Sequence, residues 1–386
     1  MALLCDSTLC TACGACLNAC PFDAIAWRTD VHGEPRPAVN AARCRDCGVC
    51  GTACPQMSPE TARHAPLESH ACWLQDEKAL ARCSSGGAAH ALGAAVLAQG
   101  GIVFGCAYTE GECRHIRVAT DAELALLAGS KYVWSDVGHA FRDIRQELAD
   151  ATERPVLFIG TPCQVDGLRK FLKTAATSPR LFTADLICHG TPPPNYIRDF
   201  LRQTEGDEPE TLTCRDRNGV ALHGTLKDGR AFHHTGGFAC NAYLEAYIRG
   251  LTYRERCYTC PYAVPQRIGD LTLGDYWGIP RRHLPPDAPE PLSIVYVNTP
   301  QGKRLLQLAA PRLACHPVPV DEAVAHKTNM NRPQTRPPER DLFLKELPAH
   351  GVVAAIHKAL AARDAWPRRL RHWIGRLLRK IFRKST

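Results

Sequence analysis

The chain of 386 residues is long enough for two or three domains with a substantial core. Hydrophobic residues make up 45% of it and charged residues 22%, a balance that excludes disordered, collagen-like and coiled-coil proteins. The composition is unusual in its 20 cysteines. Because the first residues lack the pattern of a secretory signal, we expect a reducing, cytoplasmic compartment. In such a compartment, clustered thiols are metal ligands or redox groups more often than cystines.

The net charge of +8 comes from the C-terminal end of the chain. Eight basic residues and no acidic residue lie between Arg368 and Thr386, which leaves 39 of the 47 basic residues against 39 acidic residues elsewhere. A neutral body argues against a nucleic-acid-binding surface, so we expect no nucleic-acid partner. No apolar run reaches the ~18 to 20 residues of a bilayer span, so we also expect no transmembrane helix.

The first sixty residues repeat one cysteine spacing, C-x2-C-x2-C-x3-C-P. The first copy is formed by Cys10, Cys13, Cys16 and Cys20, and the second by Cys44, Cys47, Cys50 and Cys54. The spacing resembles that of bacterial two-cluster ferredoxins, and residues 1–63 are expected to form such a domain. The resemblance implies one [4Fe–4S] cluster on Cys10, Cys13, Cys16 and Cys54, and a second on Cys44, Cys47, Cys50 and Cys20. The alternative is a pair of zinc knuckles, although zinc sites usually have a longer gap and often include histidine. Cys5 lies outside the pattern and is expected to be a bystander.

Residues 61–69 are polar and contain proline, which is typical of a linker. After this segment the sequence alternates helix and strand patterns. Helices are predicted at 84–99, 137–148 and 161–172, and strands at 101–108, 155–160, 181–187, 222–227, 270–273 and 293–298. This order predicts an α/β body whose loops at the carboxyl ends of strands carry polar residues and thiols, where open sheets bind ligands. No G-x-G-x-x-G follows a strand and no P-loop is present, so we exclude the classical dinucleotide and P-loop folds.

Four further cysteines suggest a third cluster. Cys257 and Cys260 form a C-x2-C pair, while Cys163 and Cys188 each follow one of two strands predicted to be adjacent. Loops at one edge of a sheet bring such residues together, and four thiolates complete a [4Fe–4S] site. The alternative is that Cys163 and Cys188 are catalytic or buried thiols and the other two a separate pair. Most of the cysteines that have no evident partner are expected in the core: Cys72, Cys83, Cys106, Cys113, Cys214, Cys240 and Cys315.

Six motifs within residues 72–297 resemble, in order, those of the coenzyme F420 hydrogenase/dehydrogenase beta-subunit family. They are SSGG at 84–87, GSKYVWS at 129–135, GTPCQVDGLR at 160–169, DLICHGTP at 185–192, RERCYTCPYA at 254–263 and GDLTLGDYWG at 269–278. The resemblance implies a bacterial-type ferredoxin fold followed by a mixed α/β body that binds FAD beside an iron–sulfur cluster, an α+β or α/β fold class. The family's N-terminal part would occupy 72–155, and its C-terminal part, with the flavin and cluster site, 156–350.

The resemblance also suggests which residues bind the flavin. Ser84, Ser85, Gly86 and Gly87 open a helix, whose N-terminal dipole and backbone amides would suit the FAD pyrophosphate. Lys131 would neutralise a phosphate or stabilise charge near flavin N1, and the other expected contacts are Tyr132, Gly160, Thr161, Asp275 and Trp277. Alternatives are an ordinary capped helix start, a solvated lysine and a core tryptophan. His189 is expected to donate a proton to substrate; the alternative is a hydrogen bond to the neighbouring cluster ligand.

The implied function is that of an iron–sulfur flavoprotein oxidoreductase. It would pass electrons from a ferredoxin-like donor through [4Fe–4S] clusters to FAD and on to a small organic substrate. Cubane clusters carry one electron each, whereas reduction of an organic bond takes two, so a flavin is the natural converter. The alternative is a non-catalytic electron-transfer subunit that feeds a partner oxidoreductase, with a ferredoxin or a dehydrogenase subunit as redox partner. A thiol-rich zinc or structural protein is a third hypothesis.

Residues 351–386 are predicted to form a basic helical tail. Between Trp366 and Phe382, apolar residues follow helical spacing with basic residues between them. A basic amphipathic helix with aromatic anchors typically lies in the interface of an anionic membrane, so we expect peripheral contact with the inner face of the membrane. The alternatives are a docking helix for an acidic partner and a helix packed on the chain's own body.

Overall fold

The computed structural model describes residues 4–58, 61–217, 219–234 and 241–382, with side chains up to residue 363. Within this part of the chain, an N-terminal module of two short helices and a hairpin precedes a body built on an eight-stranded mixed sheet. The mixed α/β body predicted from the sequence is confirmed. Cys240, which is among the expected core cysteines, lies outside the described residues.

The N-terminal module presents its cysteines on two loops of the same shape. Its elements are α1 (Ala15–Ala19), β1 (Ile25–Thr29), β2 (Pro35–Val39) and α2 (Val49–Thr52). β1 and β2 pair in antiparallel fashion with Ile25 opposite Val39. A glycine with positive φ precedes each helix, Gly14 at 82° and Gly48 at 74°, in a region that other residues rarely adopt. The repeated cysteine spacing therefore corresponds to a repeated backbone conformation.

The first half of the body alternates strands and helices as the sequence pattern predicts. Its elements are β3 (Glu68–Leu74), α3 (Glu77–Leu80), α4 (Ala88–Leu97), β4 (Ile102–Thr109), β5 (Glu112–Val118), α5 (Asp121–Leu124), α6 (Ala140–Ala149), β6 (Val156–Gly160), α7 (Pro162–Leu172), β7 (Leu181–Leu186) and α8 (Pro194–Glu205). Local sequence fixes the start of α7, since Pro162 occupies its first turn and Thr161 and Gln164 form a capping box.

The second half contains a separate small sheet, the last strands of the large sheet and a long C-terminal helix. Its elements are β8 (Pro209–Asp216), β9 (Gly219–Leu226), β10 (Ala231–His234), α9 (Ala242–Ile248), β11 (Leu271–Asp275), β12 (Ser293–Val297), α10 (Pro300–Ala309), β13 (Leu313–Pro317), α11 (Val320–Ala325), α12 (Thr328–Asn331) and α13 (Arg340–Phe382). The last helix is interrupted at Gly351, whose φ is 76° and ψ 174°.

The eight-stranded sheet has the order β13-β3-β12-β11-β7-β6-β4-β5. Its central strands β11, β7, β6 and β4 are parallel, and the outer pairs are antiparallel. Strand β3 begins at Glu68, inside the predicted linker, and pairs with both β12 and β13. One sheet therefore joins residues on both sides of the boundary predicted at 155. The carboxyl ends of β6, β7 and β11 lie side by side at one edge, where ligand-binding residues are expected.

The three-stranded antiparallel sheet β10-β9-β8 packs with α8, α9 and α13 in a second core. Val352, Ala355 and Ile356 are buried in this core, so the first turns of the predicted tail pack on the body. The helix backbone continues to Phe382; the side chains of the predicted amphipathic segment beyond residue 363 lie outside the described part.

Among the described residues, none of the helices combines the length and the apolar character needed to span a bilayer.

Candidate functional site

The eight cysteines of the repeated motif line two neighbouring cavities in the N-terminal module. We call proximal the cavity lined by Cys10, Cys13, Cys16 and Cys54. The distal cavity is lined by Cys20, Cys44, Cys47 and Cys50. In each cavity, the first three cysteines of one motif therefore lie with the fourth cysteine of the other motif, as predicted for the two ligand sets. Cys50 also reaches the proximal cavity, and Cys47 is exposed at the surface.

Cys5, for which no role was expected, lies in the wall of the proximal cavity. Hydrogen bonds from its thiol lower the pKa of Cys10 and of Cys54. Burial acts in the opposite direction on Cys13 and Cys16 and raises the pKa of both. The wall of the proximal cavity therefore contains the thiol of Cys5, as well as that of Cys50, beside the predicted ligand set.

A third cavity, which we call central, lies at the carboxyl edge of the parallel strands. Its wall includes Cys163, Cys188, Cys257 and Cys260. Cys163 sits in the first turn of α7 after β6, and Cys188 follows β7, so adjacent parallel strands deliver both. The Glu255–Thr259 turn of 3-10 helix brings in the C-x2-C pair. The structure places all four thiols around one space.

The central cavity is a poor environment for thiolates without a compensating positive charge. Burial raises the pKa of Cys163 to about 12 and that of Cys260 to about 11, and repulsion from neighbouring thiolates adds to both shifts. The pKa of Cys188 is also raised, mainly by burial. In the described residues no three His, Cys, Asp or Glu side chains converge as ligands of a single metal ion do. A [4Fe–4S] cluster takes one thiolate per iron, so four thiols spread around a volume suit it.

The proximal and central cavities are adjacent. Thr11 and Ala12, from the first cysteine loop, contribute to the walls of both. Trp134 Nε1 donates to the carbonyl of Ala12 at 3.1 Å, and the Arg254 guanidinium donates to the carbonyl of Thr11 at 2.8 Å. Cys13 lies close enough to Cys163 for their charges to interact. The three cavities therefore form a continuous series from the exposed Cys47 into the body.

His189, the predicted proton donor, lines the central cavity next to Cys188. Burial lowers the pKa of His189, and the negative charge of Asp275 only partly opposes this. The imidazole is therefore uncharged near neutral pH. Its position suits either of the predicted roles, a contact with substrate or a hydrogen bond at the cluster.

The loop 84–87 precedes α4, as predicted, but protein groups already engage its hydroxyls. Ser84 Oγ donates to the carbonyl of Arg215 at 2.9 Å, and Ser85 Oγ donates to the carbonyl of Leu292 at 2.6 Å. A Cβ on Gly86 would lie 2.1 Å from the carbonyl oxygen of Cys72, so this glycine is required for packing. Gly87, with φ of 80°, is the N-cap. These contacts agree with the alternative of a packed helix start.

Lys131 does not occupy the predicted phosphate-facing position. Its ammonium is buried and donates to three backbone carbonyls, those of Ala128 at 2.8 Å, Leu127 at 3.0 Å and Cys106 at 3.2 Å. Burial lowers the pKa of Lys131. The side chain turns inward and caps the end of a short helical segment, so in this structure its charge is directed at backbone carbonyls.

Some of the other predicted flavin contacts pack against neighbouring rings, and one lies at the central cavity. Tyr132 stacks on Tyr247 with ring centroids 4.4 Å apart. Gly160 ends β6, where a Cβ would lie 2.7 Å from the Phe158 ring, and Thr161 caps α7 and lines the central cavity. Of these residues, Thr161 is the one at the cavity.

A polar and aromatic face at the end of β11 contains Asp275 and Trp277 together with two cations that the sequence did not reveal. Arg215 is buried, forms an ion pair with Asp275 and lies 4.3 Å from the centroid of the Trp277 ring. Lys327 Nζ donates to the carbonyls of Asp275 and Trp277, both at 2.5 Å. Trp277 is 45% exposed, which excludes the core alternative for it. We call this set the Trp277 face.

The Trp277 face carries an excess of positive charge. Burial lowers the pKa of Lys327 to about 8, while Asp275 opposes the shift. Arg215 and Lys327 have the single carboxylate of Asp275 between them. Ser84 lies beside them, because its hydroxyl donates to the carbonyl of Arg215. No motif marks Arg215 or Lys327, because each comes from a segment without a recognisable spacing. An anionic group with a planar ring fits this combination of cations and exposed indole.

Comparisons with known proteins match two parts of the chain. Residues 9–57 match the model of the 4Fe-4S dicluster domain, and residues 153–322 match the C terminus of the coenzyme F420 hydrogenase/dehydrogenase beta subunit. The chain joins these two domains. The family predicted from the six motifs and the two-cluster module are therefore confirmed. Motifs 84–87 and 129–135 lie outside the matched ranges.

Among solved structures, the chain is similar to one in the xenon-derivatised F420-reducing [NiFe] hydrogenase complex from Methanosarcina barkeri. The two are 15% identical, with a TM-score of 0.46, over 78% of this chain and 92% of that one. No curated protein matches the chain.

One cysteine pair outside the three cavities was not foreseen. Cys72 on β3 lies directly opposite Cys315 on β13, and their sulfur atoms are 3.0 Å apart. The sequence separates the two by most of the body, so the pair follows from strand register alone.

Proposed function

We propose that the chain is an iron–sulfur flavoprotein oxidoreductase that conducts electrons from a donor protein to a small organic substrate. The observation that supports this most strongly is the series of three neighbouring cavities, each lined by one of the predicted sets of four cysteines, that runs from the exposed Cys47 to the central cavity. In this proposal each cavity holds one [4Fe–4S] cluster, with the eight cysteines of the module and the four of the central cavity as ligands. The exposed distal site would be the electron inlet.

The flavin site proposed here is the Trp277 face. Arg215 and Lys327 would hold the diphosphate of FAD, and the exposed indole of Trp277 would contact a ring. Bound FAD would convert single electrons from the clusters into the pair that an organic substrate takes up. His189 lines the central cavity and lies within range of the Asp275 charge, so it would orient substrate or cluster by a hydrogen bond.

Metal and flavin content test this proposal most directly. Protein purified without oxygen should contain about 12 iron atoms and about one FAD per chain, with the visible spectrum of both groups. About 8 iron atoms without flavin would contradict the central cluster and the flavin site. A colourless preparation that contains zinc would contradict the proposal altogether.

A second measurement separates the oxidoreductase from a subunit that only transfers electrons. Reduced ferredoxin is added to the full chain alone, and organic acceptors are screened for two-electron reduction. Reduction by the isolated chain supports the oxidoreductase. Oxidation of ferredoxin that requires a stoichiometric partner subunit would instead favour the electron-transfer subunit.

We also propose that the C-terminal helix contacts an anionic membrane from the inner face. The sequence of 366–382 supports this, since it places basic residues between regularly spaced apolar ones. The segment before it, through Leu360, is anchored in the second core, which would hold the helix on the body.

A further inference from the structure

Arg254 joins the proximal and central cavities. It is 2% exposed and lines the central cavity. Its guanidinium donates to two carbonyls of the first cysteine loop, Thr11 at 2.8 Å and Cys10 at 3.3 Å. Its own carbonyl accepts from the backbone N–H of Cys257 at 2.9 Å. One residue thus touches the ligand loops of both predicted clusters.

The charge of Arg254 has no carboxylate partner in the described part of the chain. The other buried arginines all have one: Arg215 pairs with Asp275, Arg267 with Asp185 at 2.8 Å, and Arg340 with Glu34 at 3.6 Å. The Nε atom of Arg254 is also buried without a hydrogen-bond partner. A buried cation without a counter-ion is strongly unfavourable, so a negative group is expected at this position.

Cysteines of both cluster sites lie within range of the Arg254 charge. Its charge acts on Cys10 on the proximal side and on Cys163 on the central side. A [4Fe–4S] cluster with four thiolates is anionic in both redox states, and reduction adds one further negative charge. A cation held between two such clusters stabilises the reduced state of each.

We propose that Arg254 is a positioning residue that supplies the buried positive charge shared by the proximal and central clusters and raises the midpoint potential of both. The step it serves is the transfer of one electron from the reduced proximal cluster to the oxidised central cluster, in which no bond or proton changes. The inference rests on the proposed function for the presence of the central cluster. It differs from a purely structural role, in which Arg254 would only hold the first cysteine loop by its two hydrogen bonds.

The test is a redox titration of the full chain followed by electron paramagnetic resonance, with iron counted in each sample. In Arg254→Gln the charge is lost but a hydrogen-bond donor stays. At the potential where the wild-type cluster is half reduced, the ratio of oxidised to reduced cluster should rise about tenfold at both sites, equivalent to about 59 mV for a one-electron couple. The distal cluster should not shift.

Arg256 provides a matched control two residues away. It lines the same cavity, its charge acts on Cys260, and its Nε is buried without a hydrogen-bond partner like that of Arg254. The residue as a whole is nevertheless half-buried, and its guanidinium donates to the side chains of Gln56 at 2.8 Å and Thr259 at 3.2 Å. Solvent screens such a charge, so Arg256→Gln should change the ratio less than threefold. Equal shifts in Arg254→Gln and Arg256→Gln, or a shift of the distal cluster as large as the others, would overturn the proposal.

Arg254→Lys covers the case in which Arg254→Gln does not retain its clusters. Lysine keeps the positive charge but lacks the planar guanidinium group that donates to two carbonyls at once. Wild-type iron content and potentials in Arg254→Lys support the charge role, whereas loss of iron in this variant too would assign Arg254 a structural role. If wild-type protein contains only about 8 iron atoms, the central cluster of the proposed function fails. The shift of the proximal cluster still tests Arg254 in that case.

Discussion

The N-terminal module and the central cavity collect four cysteines in opposite ways. In the module, one short loop supplies three thiols of each set, and a left-handed glycine before each helix fixes the loop. In the central cavity, three segments between residues 163 and 260 each supply part of the set, and strand order brings them together. The cysteines of the module are brought together by their spacing in the sequence, whereas those of the central cavity are brought together by the order of strands in the sheet. The two sites should therefore respond differently to changes in the body.

The largest expected effect is the loss of one cluster at a time. Cys188→Ser should remove about four iron atoms and leave the module's clusters intact, because the central site shares no cysteine with the module. Cys47→Ser should remove about four iron atoms from the distal site instead. Iron analysis and paramagnetic resonance of both variants distinguish the two outcomes.

Cys83→Ser is the control for these variants. Cys83 is buried outside the three cavities and its thiol donates to the carbonyl of Ala79 at 3.3 Å, a bond that serine can replace. Its iron content should equal that of the wild type. A Cys188→Ser protein with all its iron would show that the central thiols bind no cluster.

The second expected effect concerns the folding stability of the body, on which the central site depends more than the module does. Arg267 and Asp185 are both buried under the central cavity, with a nitrogen-to-oxygen distance of 2.8 Å. Arg267→Met would leave the Asp185 carboxylate without its partner, which should lower the free energy of unfolding by about 3–5 kcal/mol. Denaturant unfolding followed by tryptophan fluorescence measures the loss, and iron should leave the central site before the module.

Lys303→Met is the matched change at the surface. Lys303 pairs with Glu68 at 2.5 Å, but their side chains are 53% and 35% exposed. Removing that pair should cost at most about 1 kcal/mol. If Arg267→Met and Lys303→Met lowered the free energy of unfolding by similar amounts, the buried pair of Arg267 and Asp185 would not be a special support of the central site.

What the sequence could predict follows the same division between local and assembled features. The strand that ends at Gly160 is predictable because it is a short apolar run, and the family followed from motifs of adjacent residues. Strand β3 was missed because its first residues resemble a polar linker. Arg215 and Lys327 were missed because their neighbours in space are far away in sequence. The inward direction of the Lys131 side chain could not be predicted, because a motif does not fix the direction of a side chain.

A smaller effect concerns pH at the Trp277 face. Burial lowers the pKa of Lys327 to about 8, so between pH 7 and pH 9 the folded chain loses this positive charge. An anionic diphosphate binds the charged form, and at pH 9 about one Lys327 in ten is still protonated. FAD affinity should therefore fall up to about tenfold as pH rises through this range, which fluorescence titration of flavin-free protein measures.

Two variants isolate the contribution of Lys327. Lys327→Arg keeps its charge through pH 9 and should bind FAD with little dependence on pH. Lys327→Met should bind weakly at every pH. If Lys327→Met retained the wild-type decline between pH 7 and pH 9, another group would be responsible and the diphosphate contact proposed for Lys327 would be wrong.

The smallest effect on the redox sites is expected from the C-terminal helix, which is anchored in the second core and not at a cysteine cavity. Removing the residues after 364 deletes eight basic residues, each worth about 1 kcal/mol near an anionic surface, so flotation with anionic liposomes should be lost. Iron and flavin content should stay at the wild-type level, and neutral liposomes serve as the control. Unchanged flotation would exclude membrane contact through this helix and leave docking to an acidic partner or packing on the body. A loss of iron on truncation would instead show that the helix supports the cysteine sites, as the sheet does for the central cavity.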